Sequence, residues 1–96
     1  MSPINKKKLN KLRQSLDKLD NSFIKLIKKR TKLVKEVLKL KRYKNEIVDQ
    51  KRIKTILNQI KKKSIKNKID PKITNRIWKN MIMSYIDYER RNFKKK

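Results

Sequence analysis

The chain has no cysteine and no histidine. Without thiols it forms no disulfide and offers no thiol nucleophile, and without imidazole it lacks a histidine general base and the usual zinc ligand sets. No metal and no cofactor are therefore expected, and the composition suits a reducing cytoplasm. Glycine and alanine are also absent, and there are only two prolines. No apolar run reaches the length of a membrane span, and the opening MSPINKKK lacks the apolar stretch of a signal peptide. The expectation is a soluble, cytoplasmic protein with no membrane partner.

Acidic residues are scarce too, eight against 32 lysines and arginines, for a formal charge of +24. A charge of that size points first to nucleic acid or another polyanion. Its placement argues the other way. Lysines fall on nearly every solvent-facing helical position instead of forming one stripe, and the basic tracts are not interleaved with stacking aromatics. Abundant lysine, isoleucine and asparagine beside no glycine or alanine is the bias that AT-rich codons produce. The lysine coat reads as that bias, and nucleic acid is not the expected partner.

What is present is a long amphipathic pattern over residues 9–41, LNKLRQSLDKLDNSFIKLIKKRTKLVKEVLKLK. Leu9, Leu12, Leu16, Leu19, Phe23 and Leu26, then Leu33, Val37 and Leu40, recur in steps of three and four on one helical face. Arg30 stands in that seam where the period asks for a leucine. Arg13 and Lys41 flank it, one residue after Leu12 and Leu40. Cations at an apolar seam need an anion, because an unpaired buried charge is very costly. A helix of this length spans roughly 50 Å, whereas a compact domain of this size has a radius of gyration of about 13 Å. One subunit cannot hide such a stripe, so the expected architecture is all-α: a three-helix chain in an intertwined helical homodimer.

The whole chain, residues 1–96, reads as a single domain with polar ends at 1–8 and 90–96. The period lapses in RYKNEIV, residues 42–48, which reads as a short connection without glycine or proline. Helix 2 begins near Asp49 and carries Ile53, Ile56, Leu57 and Ile60 on one side, fading in residues 61–68. Asp70-Pro71 opens helix 3, an N-cap followed by proline at the first helical position. Ile73, Ile77, Trp78, Met81, Ile82 and Tyr85 mark its buried face.

Charged residues placed on these helices form a constellation. Arg30 and Lys41, eleven residues apart, are close to three turns apart and point the same way at about 16 Å. Asp49 and Arg52 share a face at the start of helix 2. On helix 3 the steps Trp78, Ile82, Tyr85, Glu89 are four, three and four, so Glu89 continues the apolar stripe. Each residue alone is explained by an interhelical salt bridge. Together, several cations and few acids on apolar walls suit a small dianion, since guanidinium groups bind carboxylates through paired, charge-assisted hydrogen bonds.

Here the sequence resembles the all-helical (type II) chorismate mutases, over nearly its whole length. The resemblance rests on LNKLRQSLDKLD with Arg13, Asp17 and Asp20, on FIKLIKKRTKLVKEVLKLK with Arg30 and Lys41, on VDQKRIKTIL with Asp49 and Arg52, and on IDPKITNRIWKNMIMSYIDYE. Their order and spacing make the match specific where each motif alone is weak. The resemblance implies a homodimer of three-helix chains whose long first helices cross, with each active site built from both subunits. It implies rearrangement of chorismate to prephenate by a pericyclic Claisen reaction, towards phenylalanine and tyrosine, with no cofactor.

Carried over residue by residue, the family pattern has Arg13 of the partner subunit and Arg30 hold the two substrate carboxylates, with Arg52 nearby. Lys41 and Glu89 serve the ether oxygen, Asp49 takes the ring hydroxyl, and Val37, Ile53, Ile82 and Tyr85 line the pocket. Catalysis is then conformational restraint plus electrostatic stabilisation. Three positions depart from the common pattern: Ile53 replaces a glutamate that helps orient the hydroxyl, Tyr85 a serine, and Glu89 a glutamine. Two alternatives stand beside this reading. An isochorismate pyruvate lyase uses a similar pocket on the same fold, and a basic helical nucleic-acid-binding module belongs to another class.

Overall fold

The computed structural model describes residues 1–95 and consists of three α-helices joined by short connections. Helix α1 runs Pro3–Leu40, 38 residues without a break. It starts six residues before the apolar pattern does, because Ser2-Pro3 is itself a start signal. The Ser2 hydroxyl accepts the Asn5 amide at 3.1 Å, and proline takes the first helical position, where no amide is needed. The polar entry expected up to residue 8 is therefore helical. Helix α2 spans Gln50–Lys66 and helix α3 spans Pro71–Asn92, with one 3₁₀ turn at Lys44–Glu46 between α1 and α2.

The chain divides into two compact units, residues 1–33 and 34–96. The first unit is the N-terminal part of α1, and its apolar stripe is bare: Leu12, Leu16, Leu19, Phe23 and Leu26 are all more than half exposed. A single helix gains little stability from propensity alone and depends on packing such a face against something. Leu9, Arg30 and Thr31 are half-buried.

The second unit holds the end of α1, the connection, α2 and α3, with α2 packed on α3. Val34, Leu38 and Lys41, in steps of four and three, are the half-buried residues of the α1 end, whereas Leu33, Val37 and Leu40 stay exposed. The α1 end thus carries two adjacent apolar faces, and the one the seam predicted is the uncovered one. Ile53, Ile56, Leu57 and Ile60 are the half-buried face of α2, as the period required. On α3 the covered stripe is Thr74, Trp78, Met81, Tyr85 and Glu89; Ile73 and Ile77, expected there, are 56% and 48% exposed. A hydroxyl pair sets this register. Ser64, buried at the end of α2, donates to the Ile60 carbonyl and shares a 2.6 Å hydrogen bond with Thr74.

The α2–α3 corner is closed without glycine. Lys68 adopts φ 57°, the Ile69 amide donates to the Ser64 carbonyl at 2.9 Å, and the Lys68 amide donates to the Ile65 carbonyl at 3.1 Å. This pair of bonds is the Schellman helix terminus, in which the left-handed residue is usually glycine. Asp70 then caps α3 by accepting the Lys72 amide at 2.9 Å.

Candidate functional site

Two charged residues far apart in sequence meet in the second unit. Lys41 stands immediately after α1, and Glu89 is on the covered stripe of α3. The Lys41 ammonium donates to Glu89 Oε1 at 2.8 Å, with the two side chains only 18% and 8% exposed. A second, longer contact at 3.5 Å runs from the ammonium to the backbone carbonyl of Ile47, the one buried apolar residue among those described. An ammonium has three hydrogens, so these two acceptors leave one direction open. Held at two points, the ammonium is fixed in direction.

Apolar surface is offered separately by α2 and α3. A groove of about 380 Å³ is lined by Val48, Gln50, Ile53, Leu57, Lys79, Ile82, Met83, Ile86 and Arg90. Ile82 and Ile86 are seven and three residues before Glu89, on the same side of α3. Ile53 and Ile82 both line this groove, whose lining does not include Lys41 or Glu89. Tyr85 is half-buried on the neighbouring stripe of α3. Val37 is 49% exposed and stands outside the covered face, which Val34 and Leu38 occupy instead.

Asp49 and Arg52 frame the start of α2. The Asp49 carboxylate accepts the Arg52 amide at 2.9 Å as the N-cap of the helix, which satisfies one of its orphan donors. Both residues are exposed, and among the described residues the Arg52 guanidinium forms no ion pair. Asp49 is therefore structural at least in part, a role read from its position at a helix start.

In the first unit, Arg13 is exposed and Arg30 is half-buried. Among the described residues Arg30 Nε is screened from solvent and has no hydrogen-bond partner, a costly state for a donor on a charged group.

Two residues that sequence reasoning passed over complete the picture. Ile47 supplies the carbonyl that Lys41 touches, and Glu46 accepts the amides of Arg42 and Tyr43 at 3.1 and 2.8 Å. Both fall in the stretch where the helical period lapses, and the available signal was the lone acid in a basic segment.

Among the described residues no cluster of acids could hold a metal ion, and no helix is long and apolar enough to cross a membrane. No curated protein and no solved structure matches the chain. The sequence profile of the family described as chorismate mutase type II matches residues 12–90, from the first bare leucine of α1 to one residue past Glu89. With that match over most of its length and an all-helical fold to accompany it, the chain belongs to the type II chorismate mutase family.

Proposed function

We propose that the protein is a chorismate mutase that converts chorismate to prephenate, working as a homodimer with two shared sites. The observation that carries this reading is the Lys41–Glu89 pair, a 2.8 Å contact between side chains 48 residues apart that are only 18% and 8% exposed. Membership of the family supplies the substrate class, and this pair supplies a donor for its chemistry. In the rearrangement the C–O bond of the enolpyruvyl ether breaks while a C–C bond forms in the same step. Negative charge grows on the ether oxygen, and a preorganised ammonium stabilises it more in the transition state than in the ground state.

The remaining roles follow the family pattern. Arg30, with its unsatisfied Nε, and Arg13 of a second copy hold the two carboxylates; Arg52 assists, and Asp49 receives the ring hydroxyl. Ile53 and Ile82 provide apolar walls, joined by Val37 and Tyr85. With Ile53 in place of a carboxylate, hydroxyl recognition rests on Asp49 alone. Glu89 donates to the ether oxygen only when it carries a proton, since an ionised carboxylate is an acceptor. Lys41 is therefore the principal donor here.

The dimer is supported by what the single chain leaves uncovered. The eight residues of the α1 seam from Leu12 to Leu40, namely Leu12, Leu16, Leu19, Phe23, Leu26, Leu33, Val37 and Leu40, are 49–81% exposed. Covering them is worth on the order of 10 kcal/mol per chain at about 1.5–3 kcal/mol for each fully buried side chain, discounted for partial burial. A second copy presenting the same stripe matches it in length and character.

Sharing of each site between subunits has a direct test. Arg13→Ala and Arg30→Ala homodimers are each expected to be nearly inactive. Unfolded together and refolded, they form heterodimers that contain one intact site and regain activity. Confirmed heterodimers without recovery would show that Arg13 serves its own subunit or no site.

A further inference from the structure

The connection after α1 has to turn the chain with no glycine and no proline. Past the end of the helix the amides of Arg42 and Tyr43 have left the helical ladder and need acceptors. One atom satisfies both. Glu46 Oε1 accepts the Arg42 amide at 3.1 Å and the Tyr43 amide at 2.8 Å. The turn closes behind it, with the Glu46 amide donating to the Tyr43 carbonyl at 3.0 Å and the Ile47 amide to the Lys44 carbonyl at 3.2 Å.

This places Ile47, 4% exposed, as the buried anchor of the connection, with its carbonyl 3.5 Å from the Lys41 ammonium. Lys41 and Ile47 are therefore the two ends of a loop that Glu46 ties shut. From this geometry we infer that Glu46 is a positioning residue for Lys41: its carboxylate fixes the connection that presents the Ile47 carbonyl, and that carbonyl with Glu89 aims the third ammonium hydrogen at the substrate.

Glu46 itself is exposed, and its carboxylate bonds the backbone amides of Arg42 and Tyr43, so it acts on Lys41 through the connection. The consequence differs from that of a general stabiliser. Without the tie the Ile47 carbonyl drifts, and the ammonium keeps Glu89 but loses its second fixed direction. A misaimed donor weakens transition-state stabilisation more than ground-state binding, so kcat falls while KM changes little. Because both amide bonds end on one oxygen, a glutamine carbonyl oxygen can take over both.

The inference rests on Lys41 being the donor of the proposed reaction, and the experiment separates the two. Glu46→Ala, Glu46→Asp and Glu46→Gln are compared with the parent protein well below their melting temperatures, with folding confirmed by circular dichroism. Glu46→Ala is expected to lower kcat roughly 10- to 100-fold, the scale of a small misplacement, with KM within about twofold. Glu46→Asp, too short to reach both amides, follows it, and Glu46→Gln restores kcat. Independently of turnover, the ¹⁵N resonance of the Lys41 side chain, identified by its loss in Lys41→Arg, is expected to shift or broaden in Glu46→Ala and return in Glu46→Gln.

A parent protein that does not turn over chorismate would remove the proposed function, yet a shifted Lys41 resonance would still uphold the coupling. A lower melting temperature in Glu46→Ala with kcat and the Lys41 resonance both unchanged would overturn the inference and leave Glu46 as a turn former only. So would failure of Glu46→Gln to restore either readout.

Discussion

The two ends of the Lys41–Glu89 pair are unequally buried, and that inequality predicts an order of effects. Lys41→Met removes the cation and strands the Glu89 carboxylate, whose side chain is 8% exposed, without an ionic partner. Breaking a buried pair this way costs about 3–5 kcal/mol; with water able to reach the Lys41 end the lower figure applies. Glu89→Gln keeps an oxygen for the ammonium and leaves behind the more exposed member, at 18%. Loss of charge assistance alone then costs about 1–2 kcal/mol. At about 4–8 °C per kcal/mol for a chain of this size, Lys41→Met lowers the melting temperature by roughly 12–24 °C and Glu89→Gln by about one-third to two-thirds as much.

Thermal and urea unfolding at one fixed protein concentration measure both, since any dimer makes stability concentration-dependent. Glu89→Gln costing as much as Lys41→Met would refute the reasoning.

Two further perturbations probe the frame around the site. Leu19→Asp, on the bare stripe of α1, is expected to unfold the chain instead of releasing stable monomers, because the single chain has little core of its own; a well-folded monomer by light scattering and circular dichroism would contradict this. Lys68→Gly removes a side chain from a left-handed position that costs a non-glycine residue about 1–2 kcal/mol, partly offset by the greater freedom of glycine in the unfolded chain. It is expected to raise the melting temperature by a few degrees, and an unchanged or lower value would show that Lys68 is not strained.

Much of the fold was legible because helix signals are local. Asp49 and Asp70-Pro71 marked the starts of α2 and α3 through capping chemistry that needs only neighbouring residues. Ser2-Pro3 carried the same signal for α1, but the lysines at 6–8 have no apolar period and masked it. What periodicity could not do was choose between adjacent faces. Leu33, Val37 and Leu40 are as apolar as Val34 and Leu38, one residue away, and only packing in three dimensions decides which set is covered within the chain. On α3 the covered stripe takes in Thr74, hydrogen-bonded to buried Ser64, and leaves Ile73 and Ile77 exposed.

The site was legible to a similar depth. Glu89 was readable as a charged residue on an apolar stripe, and it is buried. That its stripe comes up against Lys41 is a long-range pairing, which helix periodicity alone does not contain. The connection that brings Ile47 to Lys41 was illegible in detail, since its turn is built by the side chain of Glu46 and not by the glycine or proline that usually marks one.

The most direct test of the central claim is the loss of chorismate followed spectrophotometrically, with products identified by NMR and isochorismate supplied in parallel. The account predicts prephenate from chorismate, no pyruvate from either compound, and loss of turnover in Arg30→Ala. Pyruvate release from isochorismate without prephenate formation would reassign the pocket to lyase chemistry. No turnover of either compound, together with tight, salt-resistant binding to nucleic acid, would contradict the enzyme reading altogether.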